Sequence, residues 1–198
     1  MKPSDRLPDK RLGGTGEITA IFLARNVRTF REACDDVRRL PYGYNSDRDD
    51  PLTLFSEGKG SCTTKHAVIA TLAGELGLPV TKSIGIYAMT EALVTGTQPI
   101  LERYRLPYVP MIHCFLVYGK DFVDLTADNR NGKNHPIERF LHTEAVRPAI
   151  TAKEEYLRYR AALKVLLETR AELRGIKLHT VLKAREEGLA LLKANIGE

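Results

Sequence analysis

Residues 58–80 read GKGSCTTKHAVIATLAGELGLPV, in which a glycine turn, a cysteine and an apolar run follow one another directly. Gly58 and Gly60 allow a sharp turn, because glycine adopts backbone conformations that other residues resist. The run after Cys62 is rich in good helix formers, and Gly77 stands where a helix of this length would end. Because the run is apolar nearly all round, it predicts a buried helix with Cys62 at its N-terminus.

Cys62 can be interpreted in two ways from this stretch alone. The free N–H groups and the dipole at a helix N-terminus favour an anion, which lowers the pKa of a thiol placed there. A thiol of low pKa on a glycine turn is typical of a nucleophilic cysteine. The alternative is a small buried hydrophobic residue, which is the commonest environment of a free cysteine.

The composition is that of an ordinary soluble globular protein. The chain has 198 residues, 43% hydrophobic and 28% charged, enough for one domain with a helical appendage. The net charge of +5 is spread without a block of lysine and arginine, so nucleic acid is not an expected partner. No apolar run approaches the length of a membrane span, and the first 14 residues lack the apolar core of a signal peptide.

The cysteine count bears on compartment and cofactors. The three cysteines are an odd number, and their spacing fits neither a disulfide framework nor a metal-binding pair. A reducing cytoplasm is therefore the expected location, with no cofactor and no metal. A zinc site built from Cys62, His66 and His113 is disfavoured, because the spacing of the histidines makes no metal motif.

Three regions follow from the pattern along the chain. Residues 1–14 are expected to be irregular, and residues 15–150 to form the main domain. That domain would begin with one helix from about residue 15 to 40, and the polar loop at 41–51 would either wall a cleft or merely connect elements. Residues 151–198 are expected to form two helices that pack on the domain or serve as an arm for self-association.

Residues 111–126 predict a β-hairpin around Gly119-Lys120, after a first strand at 80–88. With a two- or four-residue loop, His113 faces Thr126, and Asp124 is its diagonal neighbour at about 7–8 Å between backbones. A three-residue loop would place Asp124 on the opposite face. Asp128 is four residues after Asp124 and would point to the same sheet face, so the register alone leaves both as candidates.

The cysteine helix, followed by HCFLVYGKDFVDLT at 113–126, resembles the transglutaminase-like superfamily over about residues 40–130. The resemblance implies an α+β fold with a papain-like core, in which the cysteine-bearing helix packs on an antiparallel sheet. Asp124-Leu125-Thr126 is similar to the family's Asp-Pro-Thr element, which favours Asp124 over Asp128. Phe115 and Phe122 stand where the family usually has tryptophan, and this chain has none.

Carried over to this chain, the resemblance implies a catalytic triad in the order nucleophile, base, orienting acid. Cys62 would be the nucleophile, His113 its base, and Asp124 the group that orients His113. The oxyanion hole would use the backbone N–H of Cys62 and one further donor that the sequence does not identify. The implied reaction is acyl transfer through a thioester, from a protein or peptide amide to water or to an amine.

Other residues near the motif have open roles. His66 lies four residues after Cys62 on the same helix face, so it lines the pocket, competes as the base, or is a buried histidine satisfied by hydrogen bonds. Lys59 attracts an acidic group or is an ordinary surface lysine, and Ser61 is a further pocket candidate. The expected function is a cysteine-dependent amide hydrolase or acyltransferase; the alternative is a non-catalytic protein- or peptide-binding module with the same fold.

Overall fold

The computed structural model describes residues 2–127 and 129–197. Seven α-helices and four β-strands are found within this part of the chain. The helices are α1 (Glu17–Ala24), α2 (Phe30–Arg39), α3 (Thr53–Ser56), α4 (Cys62–Glu75), α5 (Gln98–Tyr104), α6 (Ala152–Thr169) and α7 (Leu178–Asn195). The strands are β1 (Thr81–Met89), β2 (Val109–Tyr118), β3 (Asp121–Val123) and β4 (His142–Val146). Short 3-10 turns occupy Pro3–Arg6 and Ala171–Leu173.

The four strands form one antiparallel sheet in the order β3-β2-β1-β4. The α+β class and the antiparallel sheet are as predicted. The hairpin register is also confirmed, since Leu116 pairs with Val123 and Tyr118 with Asp121 across a two-residue turn. Gly119 is the first residue of that turn and has a φ of 59. A positive φ at this position is typical of two-residue turns whose twist matches the twist of the flanking strands.

The buried side chains divide into two clusters that meet along β2. The first joins α1, α2 and α4 to the sheet through residues such as Leu116. The second joins α5, α6 and α7 to the sheet through residues such as Met111. His113 lies between those two positions on β2, so it stands where the two clusters meet.

The single helix expected from about residue 15 to 40 is wrong, because the chain forms α1 and α2 with a break between them. Asn26 adopts a left-handed conformation at φ 63. Thr29 then caps α2 with a capping box in which its hydroxyl accepts from the Glu32 N–H. Apolar residues at helical spacing continue through the break, which is why the periodicity did not reveal it.

Strand β4 was not predicted. It pairs antiparallel with the middle of β1, and its side chains alternate between half-buried and exposed. Such an edge strand carries few apolar residues, so its sequence has little of the signal that marks a buried strand.

The two ends of the chain pack on this framework. Leu7 and Leu12, in the irregular N-terminal segment, are buried in the first cluster. Thr151 caps α6 in a capping box with Glu154 three residues on. Helix α7 packs against β2 and α5, and it buries Val181 in the second cluster. Within residues 2–127 and 129–197, none of the helices combines the length and hydropathy needed to traverse a bilayer.

Candidate active site

Cys62 is the first residue of α4, as predicted from the glycine turn. Ser61 precedes it in an extended conformation and gives the helix no side-chain cap, so the first N–H groups are not satisfied by Ser61. A Cβ on Gly60 would stand 2.3 Å from the Leu54 side chain and 2.7 Å from the Thr64 hydroxyl. Only glycine therefore allows this turn to approach the helix so closely.

The Cys62 thiol has two partners and is half-buried, whereas Cys34 and Cys114 are fully buried. It hydrogen-bonds the thiol of Cys114 and the imidazole of His113. These two contacts, with the positive charge of His113, lower the pKa of Cys62 well below its ordinary value although burial opposes them. Burial raises the pKa of Cys34, which is the opposite of the shift at Cys62.

His113 and Asp124 form a buried hydrogen-bonded pair, 2% and 8% exposed. His113 Nε2 lies 2.7 Å from Asp124 Oδ2, which leaves Nδ1 for Cys62. Asp124 Oδ1 accepts from both the N–H and the hydroxyl of Thr126, each at 2.7 Å. Burial alone would lower the pKa of His113, but the charges of Asp124 and Cys62 and its hydrogen bonds raise it to about 9.

His66 is fully buried and hydrogen-bonded through both ring nitrogens. Its Nε2 accepts from the Leu125 N–H at 2.9 Å, so Nδ1 carries the proton and donates to the Cys62 carbonyl at 2.8 Å. Burial lowers the pKa of His66 to about 4. The neutral ring therefore ties the first turn of α4 to the segment that carries Asp124, from which its Nε2 is 3.6 Å away.

The remaining sequence candidates are placed differently. Ser61 lines the cavity described below, whereas Lys59 does not. The Lys59 carbonyl accepts from the Asn45 side chain at 2.9 Å. Asp128 lies outside the described residues.

Cys114 follows His113 on β2 and contributes to the site, although it is not among the sequence candidates. The residue is buried, yet its thiol hydrogen-bonds Cys62, and it lies 3.8 Å from the Thr63 hydroxyl and 3.6 Å from Glu155 Oε2. The strand alternation separates Cys114 from His113. The first turn of α4 nevertheless packs on β2, and it brings the Cys62 sulfur within reach of both Cys114 and His113.

A cavity of about 430 Å³ opens at Cys62 and His113. One part of its lining is the loop after α2, with Tyr42, Tyr44 and Arg48. The loop is therefore a wall of the cleft, one of the two possibilities that the sequence left open. Its backbone is fixed to the glycine turn, since Gly60 N–H donates to the Pro41 carbonyl and Gly43 N–H donates to the Gly60 carbonyl.

The C-terminal helix α7 forms another part of the lining, through Arg185, Leu189 and Lys193 among others. Lys133, from the loop between β3 and β4, and Glu155, from α6, contribute further charges. Sequence reasoning missed all of these residues. The two tyrosines in the polar loop before the glycine turn were the only available signal, because nothing in the α7 pattern distinguishes a cavity wall from a packed surface.

Tyr42, in the cavity wall formed by the loop after α2, interacts with the backbone of Cys62. The backbone N–H of Cys62 donates to its hydroxyl oxygen. Burial, and then the charge of Cys62, raise the pKa of Tyr42 well above its ordinary value, so the hydroxyl keeps its proton. An O–H donor thus lies beside the backbone donor at the nucleophile.

No group of three or more His, Cys, Asp or Glu among the described residues is arranged to hold a metal ion. Comparisons of the chain with protein-family models, with curated proteins and with solved structures found no match.

Proposed function

We propose that the protein is a cysteine-dependent amide hydrolase or acyltransferase that works through a thioester on Cys62. The observation that carries the proposal is the continuous hydrogen-bonded series from Cys62 through His113 to Asp124, which opens into a cavity of substrate size. The packing of α4 on β2 and the chain order of the three residues support a papain-like, transglutaminase-like core.

The first step follows from the charges of the pair. With the pKa of Cys62 lowered and that of His113 raised to about 9, the resting state at neutral pH is thiolate and imidazolium. The thiolate attacks the carbonyl carbon of the bound amide, and the C=O electron pair moves to oxygen. His113 then donates its proton to the leaving nitrogen, the C–N bond breaks, and a thioester and a free amine result.

The oxyanion of this step needs donors at the nucleophile. A carbonyl oxygen placed between Tyr42 and the Cys62 amide would accept from both, replacing the bond that now joins them. Tyr42 is thereby proposed as the second oxyanion donor that the sequence did not identify.

Water or an amine completes the cycle. Neutral His113 removes a proton from the acceptor, which attacks the thioester carbon, and the C–S bond breaks to restore the thiolate. Asp124 holds His113 in one orientation and stabilises its charged form throughout. A reducing cytoplasm suits this chemistry, because the nucleophile must remain a free thiol.

The direct test is formation of the acyl-enzyme. The chain is mixed with 4-nitrophenyl acetate, nitrophenolate release is followed in time, and the protein is then analysed by intact mass and peptide mapping. The proposal predicts a burst of one equivalent and an acetyl group on Cys62, abolished in Cys62→Ala and retained in Cys34→Ala. Absence of a Cys62 thioester would contradict it and would support the non-catalytic binding module instead.

A further inference from the structure

The size of the cavity limits what can reach Cys62. Its volume of about 430 Å³ lies in the lower part of the range for small-molecule pockets, roughly 300–1,000 Å³. The loop carrying Tyr42 and Tyr44 and the helix α7 contribute its walls. A substrate of this site must therefore place a small acyl group, not a folded surface, against the nucleophile.

Four of the charged residues on the lining neutralise each other in pairs. Arg48 binds Glu155 at 2.5 Å, and it also donates to the Thr63 hydroxyl at 3.1 Å. Arg185 binds Glu186 at 2.8 Å. Both carboxylates that line the cavity are thus matched by a guanidinium, and neither is left to balance another cation.

Two lysines on the lining have no carboxylate partner within the described part of the chain. The Lys133 ammonium lies 5.7 Å from the centre of the Tyr87 ring, and the Lys193 ammonium lies 5.0 Å from the centre of the Tyr44 ring. A ring face holds a cation in place but does not neutralise its charge. The ring contacts therefore neutralise neither ammonium group.

The negative charge of the triad cancels only one of the two lysine charges. Thiolate, imidazolium and carboxylate at Cys62, His113 and Asp124 sum to one negative charge, and the thioester state with neutral His113 has the same sum. Burial lowers the pKa of Lys133, whereas the negative charges of Cys62 and Asp124 favour its charged form, so Lys133 balances the charge of the triad. Among the charged residues of the lining and the triad, Lys193 then remains as one unmatched positive charge in both states.

We infer that the substrate is a small amide or thioester whose acyl part carries one carboxylate, held between Lys133 and Lys193. The inference rests on the proposed function and names its substrate class. A phosphate monoester carries nearly two charges at neutral pH and would exceed the single unmatched charge. The tyrosine rings and Leu189 supply apolar surface for the remainder of the acyl group.

The test compares two reagents of nearly equal size, iodoacetate and iodoacetamide, at Cys62. Both alkylate the thiolate, so the ratio of their rates is independent of the thiolate fraction and reports only the attraction of the carboxylate. We expect the ratio at Cys62 to exceed that of N-acetylcysteine amide by tenfold or more. It should fall as salt is added, because ions screen the attraction.

The variants assign the effect to the lysines. Lys133→Gln and Lys193→Gln should each lower the ratio by about fivefold or more, the effect of removing one unit charge at close range even in water. Lys120→Gln, at the tip of the β2–β3 hairpin, should leave it unchanged. Lys193 lies on the exposed side of α7, so its variant keeps the test valid if Lys133→Gln is poorly folded. A wild-type ratio no higher than that of the free thiol, or one that neither variant lowers, would overturn the inference.

A binding measurement separates this result from the proposed function. Succinamate, an amide whose acyl part carries a carboxylate, and its neutral counterpart succinamide are titrated into Cys62→Ser and followed by NMR. We expect succinamate to bind at least fivefold more tightly than succinamide; equal affinity, or no binding of either, would overturn the inference. Slow alkylation of Cys62 by both reagents, together with carboxylate binding here, would contradict the proposed catalysis alone.

Discussion

The Nε2 atom of His113 lies 2.7 Å from Oδ2 of Asp124, with both side chains buried. This bond fixes which ring nitrogen faces the nucleophile and keeps the imidazole charged. The strand register brings the two together, since β3 pairs with β2 across a two-residue turn.

Asp124→Asn is expected to keep the geometry but remove the charge. The pKa of His113 should fall from about 9 and that of Cys62 should rise, since each is shifted partly by the other's charge. Turnover should drop by about 10²–10⁴-fold. The measurement is kcat together with the pH dependence of Cys62 alkylation, and Asp121→Asn, on the exposed start of β3, is the matched control. Unchanged turnover would remove Asp124 from the mechanism.

Tyr42→Phe removes one hydroxyl beside the Cys62 amide. If that hydroxyl stabilises the oxyanion, kcat should fall by about 10²-fold, the usual effect of losing one such donor, while KM changes little. The fast reaction of Cys62 with iodoacetamide should persist, because alkylation forms no oxyanion. Tyr118→Phe at the hairpin end serves as control. A rise in KM with constant kcat would show that Tyr42 binds substrate instead.

Ala190→Trp tests the wall that α7 contributes. Ala190 lines the cavity and is exposed, so a large ring there should narrow the cavity without disturbing the core. We expect kcat/KM for acyl donors to fall at least tenfold, while small iodoacetamide still reaches Cys62. Ala194→Trp places the same ring one turn further along α7, outside the lining, and should have no effect. Equal activity of the two variants would show that substrate does not use this wall.

His66 makes the free energy of unfolding depend on pH, and stability should rise with pH between about 4 and 6.5. Its pKa falls from 6.5 to about 4 on folding because it is buried, so the unfolded chain binds its proton first. The contribution of His66 is fully present above pH 6.5 and is lost as pH falls toward 4, by up to about 3 kcal/mol.

His66→Asn should lower stability at neutral pH and flatten its pH dependence between 6.5 and 4. Urea unfolding at several pH values measures both effects. His179→Asn, on an exposed part of α7, is the control and should leave the slope as in the wild type. An equally steep slope in His66→Asn would mean that His66 stays charged in the fold.

The sequence was most informative where one residue type decides a local structure. The glycine turn and apolar run placed Cys62 at the first position of α4, and Gly119-Lys120 marked the hairpin, although its loop length, which decides the register of His113 and Asp124, was left open. These are local signals, since each depends on residues close together in the chain.

The rest of the site depends on contacts between distant segments. Tyr42, Lys133 and Lys193 come from two loops and the last helix, and no periodicity in any one of them indicates the others. The contact between Cys114 and Cys62 could not be predicted for the same reason. Cys114 is buried on β2, and its contact with Cys62 depends on where α4 packs.

The pH dependence of iodoacetamide alkylation measures whether His113 holds Cys62 as a thiolate. Peptide mapping separates Cys62 from Cys34 and Cys114 in the wild type, in His113→Ala and in the control His179→Ala. We expect Cys62 to react far faster than the other two, with an apparent pKa well below about 8.5. That advantage should disappear in His113→Ala alone. An ordinary pKa for Cys62, or a profile that His113→Ala leaves unchanged, would show that His113 does not hold Cys62 as a thiolate.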